Sequence, residues 1–211
     1  MGKLLQGILG GVSGKVGNVI GSSWKGIPVI KARPLSVANP RTALQVAQRG
    51  KMANCVAFAQ QILTTIVKPL WDRFAQQQSG FNAFISRNIA LFESELPSPP
   101  SELKISVGKM AAAQGLSITA GAGVAEVEIE WDDDSGEGLK LGSDEAYLLL
   151  INGNNKEMVV SSADVVRSEQ YVAVNFETPL QTGDVLHAYL AFRRADGTVV
   201  SDTAYASETV A

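Results

Sequence analysis

From residue 104 onward, apolar and polar positions alternate in twos. Val127, Ile129 and Trp131 interleave with Glu126, Glu128 and Glu130, the pattern of a strand with one face in a core and the other in water. The same texture predicts strands over residues 146–151, 157–161, 171–176, 185–193 and 198–205. Asn152-Gly153 and Asp196-Gly197 supply hairpin turns between them. Six or seven short strands with no helix among them predict an antiparallel β-sandwich over residues 104–211.

Ahead of it the period changes to three-and-four. Leu44, Ala47, Met52, Cys55, Val56, Ala59, Ile62, Leu63 and Ile66 trace a helix capped by Asn39, with Pro40 at its first position, that runs to about Val67. Its first turns are basic and Gln-rich, whereas its second half is apolar nearly all round, as in a helix buried on most sides. Pro69 restarts the chain into Leu70, Trp71 and Phe74. Ser79-Gly80 precedes a last amphipathic helix marked by Phe81, Phe84, Ile85, Ile89 and Phe92. The apolar surface of this segment, residues 35–95, exceeds what three short helices bury among themselves, so it predicts partners. Residues 96–103, rich in Pro and Ser, read as a stiff linker.

Residues 1–34 follow neither period. Gly7, Gly10, Gly14, Gly17 and Gly21 fall at a 3-4-3-4 spacing that would give a helix one bare stripe, but glycine costs about 1 kcal/mol at each interior helical position. A short conditional helix over residues 3–9 followed by a β-ribbon fits better. The ribbon runs over residues 16–23, a turn at Trp24, Lys25 and Gly26, and residues 27–33 with Pro28 at an edge. An isolated hairpin is marginal in water, so this arm needs another surface. The fold class expected is α+β: a Gly-rich arm and β-ribbon, a short helical segment, and a C-terminal sandwich of the immunoglobulin or fibronectin kind.

Charge adds a polarity that the net value of −3 conceals. Nine Lys and Arg precede the first acidic residue, Asp72, while residues 72–211 carry nine bases against twenty-one acids. Such a split predicts a basic end that meets an anion: another copy's acidic face, a nucleic acid or a membrane surface. No window reaches the roughly 18 apolar residues that cross a bilayer. Gln6 and the glycines interrupt any signal-peptide core after Lys3, so synthesis in the cytoplasm is expected, with a virion or extracellular assembly as a destination.

Candidate chemistry is thin. Gly10-Gly11-Val12-Ser13-Gly14-Lys15 lacks the spacing, the Ser or Thr after Lys15, and the preceding strand of a phosphate loop. Asp132-Asp133-Asp134-Ser135-Gly136-Glu137 lacks the glycine at the sixth position and the glutamate at the twelfth of a calcium loop, and reads as a solvated acidic turn. His187, the single histidine, falls opposite the apolar set Leu186, Ala188, Leu190 and Phe192 and reads as a surface residue. Cys55, the single cysteine, reads as core. No catalytic residue, cofactor site or metal site is expected.

Several segments resemble a Bacteroidetes family catalogued as a domain of unknown function. They are Met1-Gly2-Lys3 with Gly7, Gly14-Lys15-Val16-Gly17-Asn18, Ser23-Trp24-Lys25-Gly26, Arg33-Pro34 and Asn39-Pro40-Arg41-Thr42, with Phe81-Asn82-Ala83-Phe84 and Tyr189-Leu190-Ala191-Phe192 later. The resemblance covers most of the chain and implies no activity or site. In layout the chain is also similar to small phage structural subunits.

These features predict a non-enzymatic subunit that assembles with other copies of itself, and with other virion proteins, through two surfaces. One is the basic arm, with Lys15, Trp24, Lys25, Lys31 and Arg33; the other is an acidic sandwich face, with Glu126, Glu128, Glu130, Asp132, Asp133 and Asp134. The alternative is a nucleic-acid-associated protein using the same basic residues with Arg41, Arg49 and Lys51. A third class is a carbohydrate- or receptor-binding module built on the sandwich loops. No membrane partner is expected.

Overall fold

The computed structural model describes residues 3–4, 11–24, 27–36 and 39–211, which fall in two compact units, residues 1–42 and 43–211. The expected helix over residues 3–9 meets a strand at its first two positions, and residues 5–10 lie outside the described part.

The first unit is a four-stranded antiparallel sheet of β1 (Lys3–Leu4), β2 (Val12–Val16), β3 (Val19–Trp24) and β4 (Ile27–Ala32), in that order. Glycine builds it. Val16 pairs with Val19, so Gly17 and Asn18 form a two-residue turn, and Gly17 adopts the φ of 58° that its first position demands. At Gly14, with φ 96°, β2 leaves β3 and pairs with β1 through Val12 and Ser13. Val12 then crosses so close to β3 that a Cβ on Gly21 would lie 2.0 Å from its carbonyl oxygen. Three of the regularly spaced glycines therefore serve a turn, a bend and a close approach within a sheet.

The second unit begins with α1 (Ala43–Gln61), four residues after the expected cap at Asn39. Pro69 brings no N–H to the helical ladder. Instead of breaking, the chain passes through a π turn over Leu63–Val67, where Ile66 and Val67 both donate to the Ile62 carbonyl at 3.0 Å, and continues as α2 (Lys68–Trp71). Ser79 caps α3 (Gly80–Asn88) by accepting from the Asn82 N–H at 3.2 Å.

Seven strands follow: β5 (Ser117–Ala120), β6 (Glu126–Glu130), β7 (Glu145–Asn152), β8 (Met158–Val166), β9 (Tyr171–Asn175), β10 (Val185–Arg193) and β11 (Ala204–Thr209). They form two antiparallel sheets, ordered β5-β6-β9 and β11-β10-β7-β8. This is the expected antiparallel sandwich, with Val127, Ile129, Trp131, Leu148, Leu190 and Phe192 between its sheets. The last strand starts later than expected, because Val200–Thr203 are engaged by residues 106–110. Ser106 Oγ donates to the Ser201 carbonyl at 2.7 Å, and the Met110 N–H to that of Val200 at 3.2 Å.

The outer face of the four-stranded sheet is no solvent face. Tyr147, Leu149, Ile151, Tyr189 and Ala191 pack there against Phe58, Ile62, Ile66, Phe84 and Phe92 in a single buried cluster. The unit is thus three layers deep: helices, four strands, three strands. Each fully buried Leu, Ile or Phe among them contributes about 1.5–3 kcal/mol relative to exposure. The partner predicted for the surplus apolar helix is the chain's own sheet and not a foreign surface.

Residues 96–103 are likewise a packed strap and not a spacer. Pro97 and Leu103 are buried, the Tyr189 hydroxyl donates to the Pro100 carbonyl at 2.9 Å, and the Ser98 N–H donates to that of Leu91 at 2.8 Å. Asn88 ties the strap's end to α3: its Nδ2 donates to the carbonyls of Phe84 and Lys104, and its Oδ1 accepts the Lys104 N–H.

Candidate assembly surfaces

Directly opposed residues in a ladder share a face. In the arm, Lys15, Ile20 and Lys31 stand in one row across β2, β3 and β4, while Val16, Val19 and Ala32 make the next row on the other face. The sheet covers little of itself: Val16, Val19, Ile27, Val29 and Ile30 are 39–63% exposed. Trp24 ends β3 opposite Ile27, Arg33 follows β4 with its N–H on the Asn18 carbonyl at 2.7 Å, and Lys25 lies outside the described residues.

On the sandwich, Glu126, Glu128 and Glu130 project outward from β6, the central strand of its sheet, about 7 Å apart by strand geometry. Their cross-strand neighbours on that face are Ser117 and Thr119 on one side and Tyr171, Ala173 and Asn175 on the other. No base sits among them. Desolvation, then the charge and hydrogen bond of Glu128, then Glu126 and Glu130, push the Tyr171 phenol above its ordinary value.

The acidic turn that follows divides. Asp132 and Asp133 are exposed as expected, but Asp134 is buried and leaves the solvent-facing set. One of its carboxylate oxygens takes the Arg167 guanidinium, and the other takes Lys140 Nζ at 2.6 Å. Arg167 is wholly buried: its Nε lies 3.5 Å from Asp144, its Cζ sits 3.9 Å from the Phe192 ring centroid, and its carbonyl accepts from Trp131 Nε1 at 2.8 Å. Four charges enclosed together cost desolvation that only mutual pairing offsets. They fix the base of the loop at residues 132–144. Arg167, Lys140 and Asp144 escape sequence reasoning because Arg167 stands 33 residues from Asp134, with no local spacing to announce the pair.

Nucleophile chemistry finds little purchase. Burial pushes the Cys55 thiol to about 11, so little thiolate forms near neutrality. His187 is half-buried and not the expected surface residue, because the face it shares with Tyr189 and Ala191 is the one under the strap. Its Nδ1 lies 3.0 Å from the Tyr205 hydroxyl, beside a hollow of about 140 Å³ lined by Pro97, Pro100 and Tyr189. Among the described residues, no helix is long and apolar enough to cross a membrane.

Comparison with curated proteins returned no match. Among solved structures, the chain is similar to the chicken CNTN1 FN1–FN3 domains, at 7% identity and a TM-score of 0.34, over 49% of this chain. It spans 33% of the length of that protein. It is also similar to the fn3 domain of human contactin 1, at 10% identity and a TM-score of 0.33, over 50% of this chain and 83% of that one. The model of the Family of unknown function (DUF6266) matches residues 11–207, nearly the whole chain, and the protein belongs to that family.

Proposed function

We propose that the protein is a non-enzymatic structural subunit that assembles with copies of itself, the arm sheet of one copy lying against the β5-β6-β9 face of the next. The observation that carries this reading is the arm itself, a four-stranded sheet that leaves Val16, Val19, Ile27, Val29 and Ile30 exposed. Such a sheet gains independent stability only with a hydrophobic face covered. Charge favours the pairing: residues 1–42 hold six Lys and Arg and no acid, and residues 43–211 hold twelve against twenty-one acids. Lys15 and Lys31 flank Ile20 on one face of the arm, and the β6 face presents three carboxylates with no Lys or Arg among their cross-strand neighbours. The setting proposed is a phage- or prophage-derived tube, shell or fibre, by likeness of layout.

Sedimentation of the full chain tests the reading. Assemblies larger than a dimer are expected at low ionic strength, and the triple variant Lys15→Glu, Lys31→Glu, Arg33→Glu loses them. A strictly monomeric wild-type chain at high concentration overturns the proposal. If that monomer binds DNA or RNA with an affinity that falls steeply with salt, the basic arm serves nucleic acid instead.

A further inference from the structure

The acidic unit carries a groove whose charged lining residues are all bases. Two adjoining hollows of about 570 and 560 Å³ share Phe74, Gln76 and Val107. Arg87 edges the first, Arg73 and Lys109 edge the second, and no carboxylate lines either. Arg73 donates to the Asp196 carbonyl at 2.9 Å, whereas Arg87 and Lys109 join no ion pair among the described residues. The carboxylates of Asp196 and Asp202 beside the groove are engaged by the N–H groups of Thr198, at 2.7 Å, and Gly108, at 3.1 Å. Trp71, Phe74, Val107, Val199 and Val200 give it an apolar stretch among Gln76, Gln78, Ser86 and Thr198, and Val107 stays 42% exposed. In a unit with twelve bases against twenty-one acids, three bases around an apolar cleft are a segregated feature.

A surface of matching chemistry lies on the same unit. The loop at residues 132–144 presents Asp133, one of whose carboxylate oxygens accepts the Ser135 N–H at 3.1 Å, and Glu137, 3.6 Å from Lys140 Nζ but exposed, beside Leu139 and Leu141, which are 44% and 45% exposed. It is held in shape before any contact. The buried Arg167, Asp134, Lys140 and Asp144 fix its base, and the Gly136 and Leu141 N–H groups donate to the Lys140 carbonyl at 3.0 Å and to Asp144 at 2.9 Å. Preorganisation of this kind reduces the ordering cost of association. The loop and the groove flank one hairpin. Arg194 donates to the Leu139 carbonyl at 2.6 Å, and five residues on, the same hairpin supplies Val199 and Val200 to the groove.

We propose that this loop of one copy docks in the cationic groove of a second, reciprocally, as a two-fold dimer. Asp133 and Glu137 meet Arg87 and Lys109, and Leu139 and Leu141 cover Phe74 and Val107. Two complementary patches at one end of a molecule are satisfied together by a two-fold axis. The inference rests on the self-assembly reading for its choice of a second copy as occupant, but the contact lies wholly within residues 43–211 and owes nothing to the arm.

The test is sedimentation equilibrium of the full chain carrying the arm triple variant, which removes the arm contact and leaves this one. A dimer is expected. Adding Arg87→Glu with Lys109→Glu, or instead Asp133→Lys with Glu137→Lys, weakens it about tenfold or more, and the neutral pair Arg87→Gln with Lys109→Gln weakens it less. Mixing the two charge-reversed chains restores the dimer. Circular-dichroism melts confirm that each variant is folded. A monomeric arm variant, a dimer indifferent to both reversals, or a mixture that stays monomeric overturns this contact. Persistence of large assemblies in the arm variant instead counts against the arm reading and leaves the dimer standing.

Discussion

The Arg167 guanidinium lies over the Phe192 ring, its Cζ 3.9 Å from the ring centroid in full burial, so a wholly enclosed charge rests on an aromatic of the sandwich core. Arg167 also holds two buried carboxylates, of Asp134 and Asp144. Removing it leaves both without their shared counter-ion. Arg167→Met is expected to destabilise the unit by about 3–5 kcal/mol. Arg167→Lys recovers only part, because an ammonium cannot span two carboxylates as the guanidinium fork does. Urea titration measures both, and a loss below about 1 kcal/mol for the methionine variant would show that the network contributes nothing net.

Helices and sandwich share one buried cluster, so they are expected to unfold together. Phe92 is fully buried, its ring 5.1 Å from that of Phe58 on α1. Phe92→Ala is expected to cost about 3–5 kcal/mol. In a background with Trp24→Phe and Trp71→Phe, which leaves Trp131 between the sheets as the one fluorophore of its kind, denaturation curves by helical circular dichroism and by tryptophan fluorescence should coincide. Separate midpoints for the two probes would contradict a common core.

The sequence pattern was most legible where one face of an element meets water. The alternation at β6 named its buried and exposed residues correctly, since Val127 and Ile129 are buried while the glutamates between them face out. Strands covered on both sides gave less. The run Ala146–Ile151 is apolar throughout because one face meets the other sheet and the other meets the helices, and an apolar run does not say what covers it. β10 is covered on both faces in the same way, so its pattern alone makes His187 read as a solvent-facing residue. β5 went unread because its four residues offer a single buried apolar side chain, Ile118. In the arm, the glycine spacing suggested a helical stripe, and only the costs of glycine favoured strands. In the candidate surfaces, Glu126, Glu128 and Glu130 could be placed from period alone. The burial of Asp134 depends on Arg167, far along the chain, and carries no local signal.

Acid should weaken the strap side of the sandwich. Burial lowers the His187 pKa below its ordinary 6.5, so the unfolded chain takes up a proton more readily than the folded one. Stability from this residue is therefore full above about pH 6.5. It is lost as the pH falls from there through the lower folded value, below which the loss is constant. Melts from pH 8 to pH 5 follow the change, and His187→Phe, which keeps a ring beside Tyr205, should flatten that part of the profile. An unchanged slope in the variant would place the dependence in other groups.

Gly21 offers a way to disable the arm without touching the rest. Any side chain there drives its Cβ against the Val12 carbonyl, where the two would be 2.0 Å apart, and neither strand can yield without breaking the β2–β3 pairing. Gly21→Ala is expected to unravel the arm sheet, while the melting temperature of residues 43–211, a separate compact unit, stays within about 2 °C. Amide exchange resolves the two: loss of protection over β2, β3 and β4 with β7 and β10 unaffected is the expected outcome. At Gly17, where a Cβ meets nothing but φ is 58°, alanine should cost only the left-handed strain of about 1 kcal/mol and leave the sheet formed. Equal damage from both substitutions would mean that turn geometry, and not the close approach of Val12, holds the arm together.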